Sequence, residues 1–244
     1  MELEWTRPQD AGLDPARLGR LAGALQREID RRRLPGAVAM IGRRGRVAWT
    51  HCVGGLDPRH SAPMRPDALF RIYSMTKPIV SLAIMMLVEE NRLALTDPLE
   101  RFVPEFGSVK VSVQDGDHHR LEAPHRAITV QDLLRHTSGL TYDFVGNLEV
   151  HRRYAAANLA DRSIDNAAQM RRLAALPLAH QPGTQWEYSR ATDVLGHLVE
   201  LVSGQTLGSF LAQRIFAPLG MTDTAFHVAP EHQHRIAEPF GQDP

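Results

Sequence analysis

Phe70-Arg71-Ile72-Tyr73-Ser74-Met75-Thr76-Lys77-Pro78 runs straight into Ile79-Val80-Ser81-Leu82-Ala83-Ile84-Met85-Met86-Leu87-Val88, and the reading of the fold turns on this junction. The second half is a helix-length run that is apolar on nearly every side, which puts it in the middle of a core. The first half sets Ser74 where a loop turns into that helix, with Lys77 three positions on. A serine in the first turn of a helix has free backbone N–H groups and the positive end of the dipole beside it. A lysine three positions later lies one turn away on the same face, so its amine can reach the serine oxygen. A serine hydroxyl is a poor nucleophile without a neighbouring base. Lys77 can be that base only if burial or a second cation brings it below its ordinary value near ~10.4. Taken alone, Ser-x-x-Lys also describes a capped helix with a surface lysine.

Upstream of the junction, Asp14-Pro15 offers an N-cap with proline at the first helical position. Leu18, Leu21, Leu25 and Ile29 recur at helical spacing until Pro35-Gly36. Ala37 to Ile41 and Val47 to Val53 are short β-type runs around Arg43-Arg44-Gly45, the pattern of a hairpin. Downstream, Val109 to Val113 and Arg120 to Glu122 flank Gln114-Asp115-Gly116-Asp117 and predict a small exposed ribbon. Thr129-Val130-Gln131-Asp132 reads as a capping-box start for a short helix to about His136. Further helices are expected from Ser163, from Asp193 to Val202 before Gly204, and from Leu207 to Phe216 before Pro218-Leu219-Gly220. Trp186, Met85 and Met86 are expected in the core.

Composition narrows the function classes. Of 244 residues 43% are hydrophobic, enough for a sizeable core. Lys plus Arg and Asp plus Glu both number 28, so no charge excess points to nucleic acid. The apolar run Ile79 to Val88 is too short to span a bilayer, and Met1-Glu2-Leu3-Glu4-Trp5 lacks the features of a secretory signal. With Cys52 the lone cysteine, the expectation is a cytoplasmic protein bound neither to membrane nor to nucleic acid. His118-His119 and His232-Gln233-His234 lack partners at metal spacing and read as solvated loop histidines, so neither a metal nor a cofactor is expected. His136 is assigned a hydrogen-bonded packing role, and Arg31-Arg32-Arg33 the solvated end of the first helix.

Four segments together go further: the Phe70 to Pro78 stretch, Leu133-Leu134-Arg135-His136-Thr137-Ser138-Gly139-Leu140, Pro182-Gly183-Thr184-Gln185-Trp186-Glu187-Tyr188-Ser189, and Ile215-Phe216-Ala217-Pro218-Leu219-Gly220-Met221-Thr222-Asp223-Thr224. In content and order they resemble the serine β-lactamase and penicillin-binding-protein superfamily, in its class C-like branch that includes family VIII esterases. The resemblance implies an α/β (α+β) fold, in which an antiparallel sheet flanked by helices carries an inserted all-helical domain. Residues 1–244 would form one such domain, about 1–75 and 205–244 in the α/β part and about 76–204 mostly in the helical part. It also implies that Ser74 is the acyl-accepting nucleophile, Lys77 its amine partner and Tyr188 the second base. Lys77 and Tyr188 would then tune each other.

Two departures shape the expectation. Arg190 stands where lactamases carry Asn, which favours small carboxylic esters over β-lactams and makes Arg190 a candidate substrate-binding residue. A β-lactamase, a D-Ala-D-Ala peptidase, and a non-catalytic binding protein or inactive fragment of this fold are the rival readings. The family's closing strand, bearing K-T-G, H-x-G or W-x-G, has no match after Tyr188. The expectation is therefore a chain incomplete at its C-terminus, with an open hairpin edge. Its partners would be a small-molecule ester and either a complementing C-terminal segment or a second copy.

Overall fold

The computed structural model describes residues 4–115 and 118–241. The chain divides into two compact units, Met1–Tyr73 with Phe216–Pro244, and Ser74–Ile215.

In the first unit the Asp14 carboxylate accepts the Ala16 amide at 2.8 Å, and with Pro15 in the first turn it starts helix α1 (Pro15–Asp30). The helix packs on β3 (Arg46–Gly54), which pairs antiparallel with β2 (Gly36–Arg43). Arg44 and Gly45, at φ 52° and 77°, both occupy the left-handed region that a two-residue hairpin turn needs to match the strand twist. On the other side of β3 lies β1 (Glu4–Trp5), parallel to it, so the strand order is β1-β3-β2. The β2–β3 pair is antiparallel as expected, and the short β1 makes the sheet mixed. A two-residue strand is too short to carry an alternating signal. Among the described residues the outer edge of β2 has no strand partner. Leu56, Met64 and Ala237 form a small cluster with Val38, Cys52, Ala62 and Ala68 beneath the loops that follow β3.

In the second unit α2 (Thr76–Glu89) buries Val80, Ala83, Ile84 and Leu87. Leu82 and Met85 remain 46% and 43% exposed, so the expectation of an all-round buried helix with Met85 in the core fails on that face. The helix enclosed on every side over its middle is α6 (Ala191–Ser203), in which Ala191 and each residue from Val194 to Val199 are buried, while Leu201 near its end is exposed. It packs against α2, α3 (Val130–Leu134), α5 (Asn166–Ala174) and α7 (Leu207–Leu211), and Gly204 at φ 74° ends it. Beyond α7 the chain continues as a π turn, Ala212–Phe216. Strands β4 (Val111–Asp115) and β5 (His118–Glu122) form the expected ribbon in this otherwise helical unit. Residues 116–117 and the His118 and His119 side chains lie outside the described residues. Helix α4 (Glu149–Ala156) was not foreseen, because two of its three buried positions are His151 and Tyr154, which break the apolar stripe.

The start of α3 is held by a cluster of hydrogen bonds on Asp132. Thr129 and Asp132 close both halves of a capping box, the Thr129 amide reaching the carboxylate at 2.9 Å. Arg126 grips the same carboxylate with two nitrogens, at 2.5 and 2.9 Å, and the Thr137 hydroxyl donates to it at 3.0 Å. Burial works against the charge, but Arg126, Thr129 and Thr137 outweigh it and hold Asp132 at about 2. No helix among the described residues is long and apolar enough to cross a membrane.

Candidate active site

Ser74 sits in a 3₁₀ turn, Tyr73–Met75, immediately ahead of α2, and is exposed. The residue before it, Tyr73, has φ 43°, a left-handed conformation that bulky side chains rarely adopt and that tends to accompany functional positions. Lys77 lies one turn into the helix, and its Nζ donates to Ser74 Oγ at 3.3 Å. The Tyr188 hydroxyl meets the same oxygen at 2.5 Å from the other side. All three residues belong to the second unit, so the cluster needs nothing from the first.

What holds Tyr188 there is a pairing of two segments far apart in sequence. The Glu187 amide donates to the His136 carbonyl at 2.9 Å, the Gly183 amide to that of Thr137 at 2.7 Å, and the Ala179 amide to that of Gly139 at 2.7 Å. The segment 136–139 is therefore laced to 179–187 by backbone alone. Gly139 is at φ 84°, and a Cβ there would lie 2.2 Å from the His180 carbonyl oxygen, so only glycine lets the two strands of chain approach. His136, itself at φ 55°, bonds Ser189 Oγ through Nδ1 at 3.1 Å and sets its ring 5.3 Å from that of Tyr188. This is the packing role that its motif suggested. Burial and the nearby Lys77 charge push the His136 imidazole below its ordinary value, so it stays neutral.

The electrostatics separate the roles of amine and phenol. Burial acts to lower Lys77, yet the Tyr188 and Tyr142 phenols facing it outweigh that, and its pKa ends above the ordinary lysine value. The shift is opposite to the one a lysine needs to act as base at neutral pH. Tyr188 moves the other way: the Lys77 ammonium, and then the Ser74 hydrogen bond, hold its phenol below the usual range. Lys77 Nζ lies 4.6 Å from the Tyr188 ring centroid and 6.0 Å from that of Tyr142. Amine and phenol thus poise a charged ammonium beside a phenol that gives up its proton more readily than usual.

Tyr142 was not singled out from the sequence. Its ring sits 5.3 Å from Tyr188, is stacked on Phe144 at 4.8 Å, and carries the Arg190 guanidinium at 5.2 Å. Burial raises its phenol, so of the two tyrosines beside Lys77 it is the one kept neutral. A lone tyrosine just past a loop motif has no spacing signal, and its role comes from the lacing of 136–139 onto 179–187. Arg190 itself is only 16% exposed; it lies on Tyr142 and 3.7 Å from Asp193. Trp186, expected in the core, is 63% exposed and meets His136 edge-on at 6.2 Å. His232 and His234 are exposed in a 3₁₀ turn, Pro230–Arg235, and no group of three metal-ligating side chains occurs among the described residues.

The Beta-lactamase family profile matches residues 21–243. The chain belongs to this family. Among proteins similar to it, Protein Rv1367c of Mycobacterium tuberculosis is 40% identical over 213 residues, which are 86% of this chain and 52% of that protein. Esterase EstB of Burkholderia gladioli is 39% identical over 236 residues, 96% of this chain and 57% of EstB. The solved structure of "EstCE1, a hydrolase with promiscuous acyltransferase activity" superposes with a TM-score of 0.76 at 30% identity, covering 92% of this chain and 59% of EstCE1. The chain thus spans between half and three-fifths of the length of these relatives.

Proposed function

We propose that this chain carries the acylation machinery of a serine hydrolase acting on small carboxylic esters, with Ser74 as nucleophile, Tyr188 as general base and Lys77 as the cation that keeps the phenol acidic. The observation that carries this reading is the hydroxyl pair, Tyr188 Oη to Ser74 Oγ at 2.5 Å, with Lys77 Nζ 3.3 Å from the same oxygen. Ser74 Oγ attacks the ester carbonyl as the Tyr188 phenolate takes its proton; the phenol so formed then passes that proton to the departing alkoxide, leaving an acyl-Ser74 and regenerating the phenolate. Water or a second alcohol resolves the acyl-enzyme by the reverse path, giving hydrolysis or acyl transfer. The name of Esterase EstB supports the ester class, and the acyltransferase activity in the EstCE1 description supports the transfer branch.

Arg190 enters this reading through Tyr142, on which its guanidinium rests; a substrate contact would have to be made from that place. The first unit and the ends of the chain would supply the α/β part, with residues from about 76 to 204 the helical part. A cytoplasmic setting fits the lone, unpaired Cys52, whose thiol burial pushes up. The partners proposed are the ester and a complementing segment or second copy at the β2 edge. The test is the pre-steady-state burst of p-nitrophenol from p-nitrophenyl acetate. A burst that disappears in Ser74→Ala is expected; equal release by both proteins would refute the reading.

A further inference from the structure

Arg190 carries a permanent charge, is only 16% exposed, and takes no part in moving the Ser74 proton. The backbone fixes where that charge goes. Arg190 caps α6, and its carbonyl accepts the Asp193 amide at 3.0 Å. The two side chains therefore leave one turn apart on the same face of the helix. There Arg190 Nη1 stands 3.7 Å from Asp193 Oδ2, an ion pair. The same guanidinium lies 5.2 Å from the Tyr142 ring centroid, a cation seated on an aromatic ring. Tyr142 in turn sets its ring 5.3 Å from that of Tyr188, and Lys77 Nζ is 6.0 Å from its centroid. All of these residues belong to the Ser74–Ile215 unit.

The groups around the Tyr188 phenol are Ser74 and Lys77 at the start of α2, His136, Tyr142, and Asp193 with its partner Arg190. Ser74 is a neutral hydroxyl, and burial keeps Tyr142 and His136 neutral. Two cations and one anion remain. Their effects on the phenol have opposite signs: the Lys77 ammonium favours the phenolate, and the Asp193 carboxylate opposes it. Burial raises the Asp193 carboxyl, and the charges that act against burial there are Arg190 and then Lys77. Without Arg190, Lys77 would be the cation left to offset Asp193, and its own field at Tyr188 would be partly cancelled.

We propose that Arg190 is a positioning residue: seated on Tyr142 and paired with Asp193, it neutralises that carboxylate and leaves the Lys77 ammonium to act on Tyr188. The inference rests on the reading of Tyr188 as the base. An Asn at this position, as in the lactamases, could not supply the charge.

The test is the pH profile of acylation by p-nitrophenyl acetate in variants of the 244-residue chain. Arg190→Met removes the cation and should move the rising limb to higher pH; Asp193→Asn removes the anion and should move it to lower pH. Each shift should be about half a pH unit or more, the scale of one partly screened charge acting past a neighbouring side chain. Arg190→Lys restores the charge and should bring the midpoint back to that of the parent chain. KM should stay within roughly twofold in all three, because none of these groups touches the ester. A raised KM with an unmoved limb in Arg190→Met would make Arg190 a substrate contact and overturn the proposal. A limb that moves the same way in Arg190→Met and Asp193→Asn would overturn it too. Should Arg190→Met fail to fold, the nearly isosteric Asp193→Asn decides alone, and an unmoved limb there is contrary to the proposal. Tyr188→Phe separates the two readings. A limb that persists in Tyr188→Phe removes the base assignment itself, whereas one lost there but unmoved in Asp193→Asn removes only the role of Arg190.

Discussion

At Ser74, Lys77 and Tyr188 the chemistry depends on which group holds the proton before reaction. Lys77 is held above the ordinary lysine value and Tyr188 below the ordinary tyrosine value, so in the proposed reaction the Tyr188 phenolate, formed above that lowered value, is the group that takes the serine proton. A base with a depressed pKa is active above that value. Acylation should therefore rise with pH along a limb whose midpoint lies below that of free tyrosine, and decline only where Lys77 loses its charge. Stopped-flow acylation by p-nitrophenyl acetate across pH measures this. Tyr188→Phe should erase the limb and slow acylation roughly a hundredfold or more, the usual scale of a general base. If the limb persists in Tyr188→Phe, another group is the base. The serine and lysine were legible because one helical turn fixes their separation, and Tyr188 because its segment resembles a known motif. Tyr142 was not, since its place beside Lys77, 65 residues before it, and Tyr188, 46 residues after it, depends on long-range contacts and no local spacing. Trp186 was misassigned for a related reason: aromatic residues favour cores on average, but at the rim of a site they stay exposed.

Among the elements, the hairpin, α1, α3 and α6 were readable from local rules: paired left-handed turn residues, caps and terminal glycine. What local rules miss is which helix the rest of the unit chooses to enclose. The run after Ser74 is the more apolar in appearance, yet α6 is the one buried all round through its middle, because four helices pack on it. Leu198→Ala should therefore destabilise the chain by roughly 2–5 kcal/mol, whereas Met85→Ala on the exposed face of α2 should cost well under half as much. Urea unfolding measures both, and equal losses in the two variants would contradict this ranking of the helices. The Asp132 clamp sets an acid limit on stability. Its carboxylate titrates at about 2 when folded, against an ordinary value of 3.8, and is 4% exposed. A depressed carboxylate stabilises the fold above its unfolded pKa, and that contribution is lost as pH falls from about 4 towards 2. Asp132→Asn should lower stability at neutral pH by about 2 kcal/mol and flatten the acid limb between those values. An unaltered acid limb in Asp132→Asn would mean that other carboxylates govern it.

For the molecule as a whole, the family match covers residues 21–243, while the chain spans between half and three-fifths of the relatives' length. The Ser74, Lys77 and Tyr188 cluster is complete within the Ser74–Ile215 unit. Covalent capture at Ser74 therefore tests the chemistry more directly than turnover does. Substrate choice is a separate question, and Arg190 in place of the lactamase Asn predicts a much higher kcat/KM for p-nitrophenyl acetate than for nitrocefin on one preparation. The opposite order would favour a lactamase. The most direct measurement of the central claim is mass spectrometry of the chain after reaction with a fluorophosphonate. The account predicts a single adduct on the tryptic peptide containing Ser74, formed several orders of magnitude faster than on any other serine and lost in Ser74→Ala. An adduct that maps to a different serine, or one that survives in Ser74→Ala, would contradict it.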